Sequence, residues 1–167
     1  MELIQLMVGL FGGFILGSVL LVIAAYIISS LAFVKIFTKL GYETPWFGWI
    51  PILNIFVLAT LVTKGVSKVK VFGLFELDVT IYRFLWLAGI ALGFIDGSLG
   101  RLLSFAFAVV YYGDMYSRVY AAIDNTGVEN QTVLGAISAI ISIIFPIKAL
   151  ASDSNPMQIR YRADDVR

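Results

Sequence analysis

Asp114 and Arg118 are the residues whose types and spacing best fit a functional polar pair in this sequence. Residues four apart lie on the same face of an α-helix, so the spacing predicts an ion pair. A lone charge near the centre of a bilayer costs about 2.5–3.5 kcal/mol on insertion scales, so such a charge is expected to be paired or hydrated. Asp124, Asn125 and Glu129 follow closely. The pair is therefore either a polar functional site inside a membrane or a structural pair at its boundary.

Few residues offer other reactive chemistry. The sequence has no cysteine and no histidine, which excludes disulfides, thiol catalysis, His-based metal sites and Ser-His-Asp triads. Two carboxylates that share a proton would have to be Asp96 and Asp114. Asp114 follows Tyr111-Tyr112-Gly113 instead of the Gly-x-Gly of membrane aspartyl proteases, and Asp96 belongs to a polar turn. We therefore predict that the protein is not an enzyme and uses no cofactor and no metal.

Asn54 is a second candidate polar site because it follows a predicted helix break. Pro51 removes a backbone donor and clashes with the preceding turn, and Pro45 adds a second constraint shortly before it. One interpretation is an interfacial tryptophan belt with a proline at a helix start. The other is a segment that enters the membrane, breaks at Pro51 and continues to Val62. The amide of Asn54 then either supplies donors to freed carbonyls or lines a small polar site, as in transporters.

The elements that carry these residues are predicted to lie in a lipid bilayer. Hydrophobic residues make up 60% of the chain and charged residues 14%, with a mean hydropathy of +0.93, far from the composition of soluble domains. Residues 3–34 carry no formal charge, and about 20 apolar residues already span a bilayer. Glu2 and the length of this run argue against a cleaved signal peptide. A net charge of +1 argues against nucleic acid as a partner.

We predict an all-α fold, a polytopic transmembrane helical bundle of four to five membrane segments with one Pro-broken or re-entrant segment. It forms a single domain over residues 1–150, with a polar C-terminal tail at 151–167. The segments are expected at about 4–34, 45–63, 79–95, 102–123 and 132–150. Residues 96–101 are typical of a tight polar turn, so the third and fourth segments are predicted to form a helical hairpin.

Residues 64–83 are predicted to be a short amphipathic stretch at the membrane surface. Apolar and charged residues alternate there, which indicates a strand that Gly73 could turn into a hairpin. An interfacial helix with its lysines near anionic headgroups fits nearly as well. If segment 45–63 re-enters, these lysines join Lys35 and Lys39 on one side, which we expect to be cytoplasmic with the N-terminus outside. The tail at 151–167 then lies outside.

Two glycine series are predicted to form helix-packing faces. Gly9, Gly13 and Gly17 repeat every four residues, and so do Gly89, Gly93 and Gly97. Small residues on one face let another backbone approach closely in lipid. The faces serve either packing within the bundle or contact with another membrane protein, which includes a second copy of this chain.

Part of the sequence resembles an uncharacterised family of small bacterial integral membrane proteins, whose members show Lys-x-Gly, then Trp, then Ile-Pro-x-x-Asn. The matching residues are Lys39-Leu40-Gly41, then Trp46 and Trp49, then Ile50-Pro51-Ile52-Leu53-Asn54. The resemblance covers residues 37–58 well and extends loosely to the Pro-x-x-Ala stretch at 146–149. Leu53 replaces a usual aromatic residue, and the charged stretch at 68–83 replaces a second Trp-rich segment. The resemblance implies membrane topology and a break at 51–54, with no known activity.

These observations predict a non-enzymatic, multi-pass protein of a bacterial cytoplasmic (inner) membrane. Its partners are the lipid bilayer and, through the glycine faces, another membrane protein or itself. We expect it to act as an accessory, assembly or interaction subunit. The alternative function is a small transporter or channel with a polar path near Asn54, Asp114 and Arg118.

Overall fold

The computed structural model describes residues 2–162 and Asp165. Within these residues the chain is mostly helical, as predicted, with seven α-helices, two short 3-10 helices and one two-stranded hairpin. The α-helices are α1 Glu2–Lys39, α2 Leu53–Val62, α3 Val79–Phe84, α4 Trp86–Leu92, α5 Gly97–Asp124, α6 Thr132–Ile140 and α7 Ile144–Ala151. The 3-10 helices are Pro45–Trp49 and Val128–Gln131, and the strands are β1 Lys68–Val71 and β2 Phe75–Asp78.

Helix α1 has two halves with different surroundings. From Ser30 onward its inner face is buried, with Ala32, Ile36 and Phe37 at 0% exposure. The described side chains before Ile28 are exposed on all sides, although they are almost all apolar. Among the described residues, the stretch Gly9–Lys39 is long and apolar enough, by length and composition, to cross a membrane. A helix that is apolar all round is typical of contact with lipid.

The other predicted membrane segments differ from single straight spans. Segment 79–95 is divided into α3 and α4, and segment 132–150 into α6 and α7. Helix α5 begins at Gly97 and not at the predicted residue 102. Residues 97–101 are therefore helical, and the predicted polar turn at 96–101 is wrong for all of its residues except Asp96. One described helical stretch, not four or five, therefore meets the length and composition of a membrane span.

Segment 45–63 breaks at Pro51 and doubles back. Ile52 has a φ of 73°, and α2 begins directly after it. At the break, the hydroxyl of Tyr26 donates to the carbonyl of Trp49, so this point lies beside the middle of α1. Both ends of the segment nevertheless meet the C-terminal tail, since Met157 N donates to Lys39 O and Tyr161 Oη donates to Lys64 O. Segment 45–63 thus returns to the end of the molecule where it started.

Segment 132–150 doubles back in the same way. Gln131, just before α6, donates to the carboxylate of Asp124, and Lys148 in α7 binds the same carboxylate at 2.7 Å. The bend between the two helices covers residues 141–143. The C-terminal tail therefore lies at the same end as Lys39, and the expectation that it lies on the opposite side from the lysines is wrong.

Residues 64–83 contain a β-hairpin followed by α3. Strands β1 and β2 pair antiparallel, with Val69 opposite Leu77, and the turn contains Phe72 and Gly73 at positive φ. On β1, Val69 and Val71 are fully buried while the lysines between and before them face outward. Of the two alternatives that the alternation of apolar and charged residues left open, the structure thus has the strand hairpin and not the interfacial helix, and Gly73 lies in the turn. We call the polar end formed by this hairpin, the end of α1, the end of α5 and the tail the head.

Helices α5 and α6 pack closely against each other through two glycines. A Cβ added at Gly135 would lie 2.1 Å from Ser117 Oγ, and one added at Gly113 would lie 3.1 Å from Ala136 Cα. The missing side chains let the two backbones approach closely, as expected for helices in lipid. This contact fixes α6 along the half of α5 that carries the candidate site.

Candidate functional site in the head

Asp114 and Arg118 form the predicted ion pair on α5. Arg118 Nε donates to Asp114 Oδ2 at 2.8 Å, and both side chains are 0% exposed. The spacing of four residues along the helix brings the two side chains together, so the predicted ion pair is confirmed. Burial of both charges without further partners would be costly, so the rest of their surroundings decides what the pair does.

Three other elements bring donors to the carboxylate of Asp114. Phe72 N in the hairpin turn donates to Oδ1 at 3.1 Å, and Tyr82 Oη in α3 donates to Oδ2 at 3.0 Å. Arg162 Nη2 in the tail donates to Oδ1 at 3.2 Å. Asp114 thus accepts four hydrogen bonds, which joins α5 to the hairpin, to α3 and to the tail.

Arg118 is bound on its other side by the tail. Its Nη1 donates to Asp165 Oδ2 at 2.6 Å and its Nη2 donates to Oδ1 at 3.2 Å, a bidentate arrangement. Asp165 also accepts from the backbone N–H of Lys70 at 2.9 Å and of Arg162 at 3.0 Å. We call Asp114, Arg118, Arg162 and Asp165 the charge cluster. With two carboxylates and two guanidinium groups, it has no net charge.

The contacts of the charge cluster join the tail to α5 and to the hairpin. Burial alone would raise the pKa of Asp165, but the hydrogen bond and charge of Arg118 hold that pKa below its usual value. The carboxylate of Asp114 is fully bonded and inaccessible, which leaves no room for a reacting molecule. Among the described residues, no group of three or more acidic residues is placed to hold a metal ion. The cluster therefore fastens the tail to the end of the bundle.

The third predicted polar residue, Asn54, lies away from the charge cluster. It lines a groove with Tyr26 of α1 and Tyr112 of α5. Its backbone N–H donates to Ile50 O at 3.0 Å. This carbonyl before Pro51 thus receives a hydrogen bond from the backbone of Asn54 and not from its side-chain amide. Within the described chain, the side-chain amide of Asn54 makes no hydrogen bond. Asn54, Asp114 and Arg118 do not form one site.

Sequence reasoning missed the tail residues of the charge cluster. Arg162 and Asp165 lie more than 40 positions from Asp114 and Arg118, and no spacing rule connects them. The available signal was the mixture of both charges in a tail that follows an apolar chain. That signal indicates a polar tail but does not indicate where it binds.

The two predicted glycine faces have different surroundings. Around Gly9, Gly13 and Gly17, a Cβ would find no atom within 4 Å, so the described chain supplies no packing partner for them. In the second series, a Cβ at Gly89 would lie 2.6 Å from Phe107 Cε1 of α5, so Gly89 does sit at a helix contact. Gly97 has a φ of 87° at the start of α5. It serves the turn and is not part of a continuous packing face.

Comparisons of this chain with protein-family models, with curated proteins and with solved structures found no match.

Proposed function

We propose that the protein is a non-enzymatic integral membrane protein that acts as an accessory, assembly or interaction subunit in a bacterial cytoplasmic membrane. The observation that carries this proposal is the free half of α1. Gly9, Gly13 and Gly17 lie on one face of an apolar helix, with open space where a neighbour would pack. A transmembrane helix of a partner, or of a second copy, would fill that space.

The use of glycine elsewhere in the chain supports this role. Gly113 and Gly135 allow α5 and α6 to approach closely, so this protein builds helix contacts with glycine where its own helices meet. Lipid tails solvate an exposed apolar helix well, so association in a bilayer depends on close packing and not on hydrophobic burial. A glycine face without an internal neighbour is therefore best explained by an external one.

The proposed topology is multi-pass. We propose that α1 crosses the bilayer with its N-terminus outside, and that the hairpin of α4 with the first half of α5 enters from the head side. Segments 45–63 and 132–150 re-enter and return. Basic residues then concentrate in the head, which the positive-inside rule places in the cytoplasm. These residues are Lys35, Lys39, Lys64, Lys68, Lys70 and Lys148. Membership of the uncharacterised family stays a prediction that rests on residues 37–58.

Substitution on the glycine face tests the function. Gly13→Leu is expected to remove a complex that blue-native electrophoresis and crosslinking detect in membranes of the natural host. Gly12→Leu is the matched control, because Gly12 also has no atom within 4 Å of an added Cβ but lies about 100° around the helix from Gly13. If both variants retain the complex, or if both lose it equally, the proposed face is wrong.

The alternative, a small transporter or channel, has less support. A polar path would need accessible groups, but Asp114 and Arg118 are fully buried and bonded to each other and to the tail. Asn54 lies elsewhere. Transport would be indicated if Asp114→Asn abolished flux in proteoliposomes while the variant remained folded and its assembly intact.

A further inference from the structure

We propose that the groove next to the Pro51 break binds an isoprenoid quinone. This groove has a volume of about 430 Å³ and lies between α1, the Pro51 break, α5 and the α6–α7 bend. We call it the intramembrane groove. Its volume is within the range of about 300–1,000 Å³ that small-molecule sites occupy. The proposal uses the membrane placement given above and is independent of the glycine face.

The depth of the groove sets the first requirement on its ligand. Asn54 lies near the start of α2, whose other end leads to Lys64 in the head. At 1.5 Å per helical residue, Asn54 is about 15 Å below that lysine. Ser142, in the α6–α7 bend, is about 9 Å below Lys148 by the same measure. The polar groups of the groove therefore lie below the level of lipid headgroups.

The lining of the groove sets the second requirement. No Asp, Glu, Lys or Arg lines it, so a charged ligand would find no counter-charge. Asn54, Ser30 and Ser142 offer an amide and hydroxyls, and none of these side chains forms a hydrogen bond within the described residues. Polar groups in hydrocarbon are stabilised by a hydrogen-bonding partner. A ligand at this depth is therefore expected to be uncharged and to carry hydrogen-bonding groups, and carbonyl oxygens would accept from the amide and the hydroxyls.

Aromatic rings form one wall and lipid-facing residues border the opening. Tyr112 and Tyr116 line the groove with nearly parallel rings, 27° apart, and Tyr116 stacks on Phe145 at 4.4 Å. Aromatic side chains in the lining favour contact with a flat ring. Ile52, which lines the groove, is 48% exposed, so an apolar tail can leave toward lipid.

A quinone meets all of these requirements. Its ring is flat and uncharged, its two carbonyl oxygens accept hydrogen bonds, and its isoprenoid tail is apolar. A phospholipid fits less well because its charged headgroup stays at the level of the lysines, which would leave only acyl chain beside Asn54. The proposal concerns binding and includes no electron transfer.

Fluorescence quenching tests the proposal in nanodiscs of phosphatidylcholine. Trp49 packs edge-on against Tyr26, which lines the groove, with ring centroids 6.3 Å apart. A Trp46→Phe/Trp86→Phe background leaves Trp49 as the sole tryptophan. Decylubiquinone is expected to quench its emission saturably. Asn54→Leu should weaken binding about tenfold, which corresponds to about 1.4 kcal/mol, because it removes a hydrogen-bond donor of the groove.

Two phenylalanine substitutions provide the matched control. Ala139→Phe fills the groove and should abolish saturable quenching, whereas Ala91→Phe, on the exposed side of α4, should leave it unchanged. Ala108→Phe fills the groove from α5 if Ala139→Phe does not fold, as judged by circular dichroism. Quenching that stays linear with quinone, or that is equal in the groove-filled and Ala91→Phe proteins, overturns the proposal. Displacement of the quinone by equimolar dioctanoylglycerol also overturns it and assigns the groove to neutral lipids.

Discussion

Asp114→Asn is the substitution that most directly tests how the head is held together. The change keeps the size of the side chain but removes the charge that faces Arg118 Nε at 2.8 Å and Arg162 Nη2 at 3.2 Å. Asp165 is then the one remaining carboxylate of the charge cluster, against two guanidinium groups. The cluster changes from neutral to a net positive charge in a buried place.

The expected cost is about 3–5 kcal/mol, the range for breaking a buried ion pair by removing one partner. For a chain of this size, about 1 kcal/mol corresponds to a change of 2–4 °C in Tm, so we expect Tm to fall by about 6–20 °C. The measurement is thermal unfolding of purified protein in a mild detergent, followed by near-ultraviolet circular dichroism. Protease cleavage after Arg160 or Arg162 should become faster at the same time, because the tail loses a binding partner.

A second substitution makes the test specific to charge. Arg162→Gln in the Asp114→Asn background restores a neutral cluster, so the double variant should be more stable than the sum of the two single effects predicts, by about 0.5–3 kcal/mol. Asp165→Asn makes the same change in the charge of the cluster from the side of the tail, and it is the second variant should Asp114→Asn fail to fold. An Asp114→Asn protein with unchanged Tm and unchanged tail protection would refute the role given to the charge cluster.

Two further predictions concern packing and pH. Gly135→Ala should destabilise the protein by about 1–3 kcal/mol, because the added Cβ would meet Ser117 Oγ at 2.1 Å, whereas Gly12→Ala should not lower Tm. Both are measured as shifts in Tm. Because the folded-state pKa of Asp165 lies below its unfolded value of about 3.9, its contribution to stability is complete above that value and is lost as pH falls through the folded pKa. Acidification below about pH 4 should therefore increase protease cleavage of the tail, and Asp165→Asn should be less sensitive to pH.

Local features of the sequence were predictable where neighbours along the chain decide the structure. The Asp114–Arg118 pair depends on one turn of one helix, and the β-hairpin depends on alternation with a glycine at its turn. The break at Pro51 follows from a missing donor. Contacts of the tail with Asp114 depend on two elements far apart in sequence, so no local pattern contains them.

Segment 132–150 shows why the number of long apolar helices was harder to predict. An apolar run of 132–150 has the length of a span, but Pro146 lies in the first turn of α7, where its missing N–H needs no partner. This position favours a new helix start instead of a continuation of α6. The bend at 141–143 has no glycine or proline of its own, so hydropathy alone predicts one long helix where the chain forms two short helices that double back.

The surroundings of Asp114 help to decide between the two interpretations of the charged pair. Its partners come from a hairpin turn and from a polar tail, and β1 carries exposed Lys68 next to this hairpin. Elements with exposed lysines are stable in water or at the interface, and not in hydrocarbon. The surroundings of the buried pair therefore favour the structural interpretation, in which the pair attaches the tail to α5.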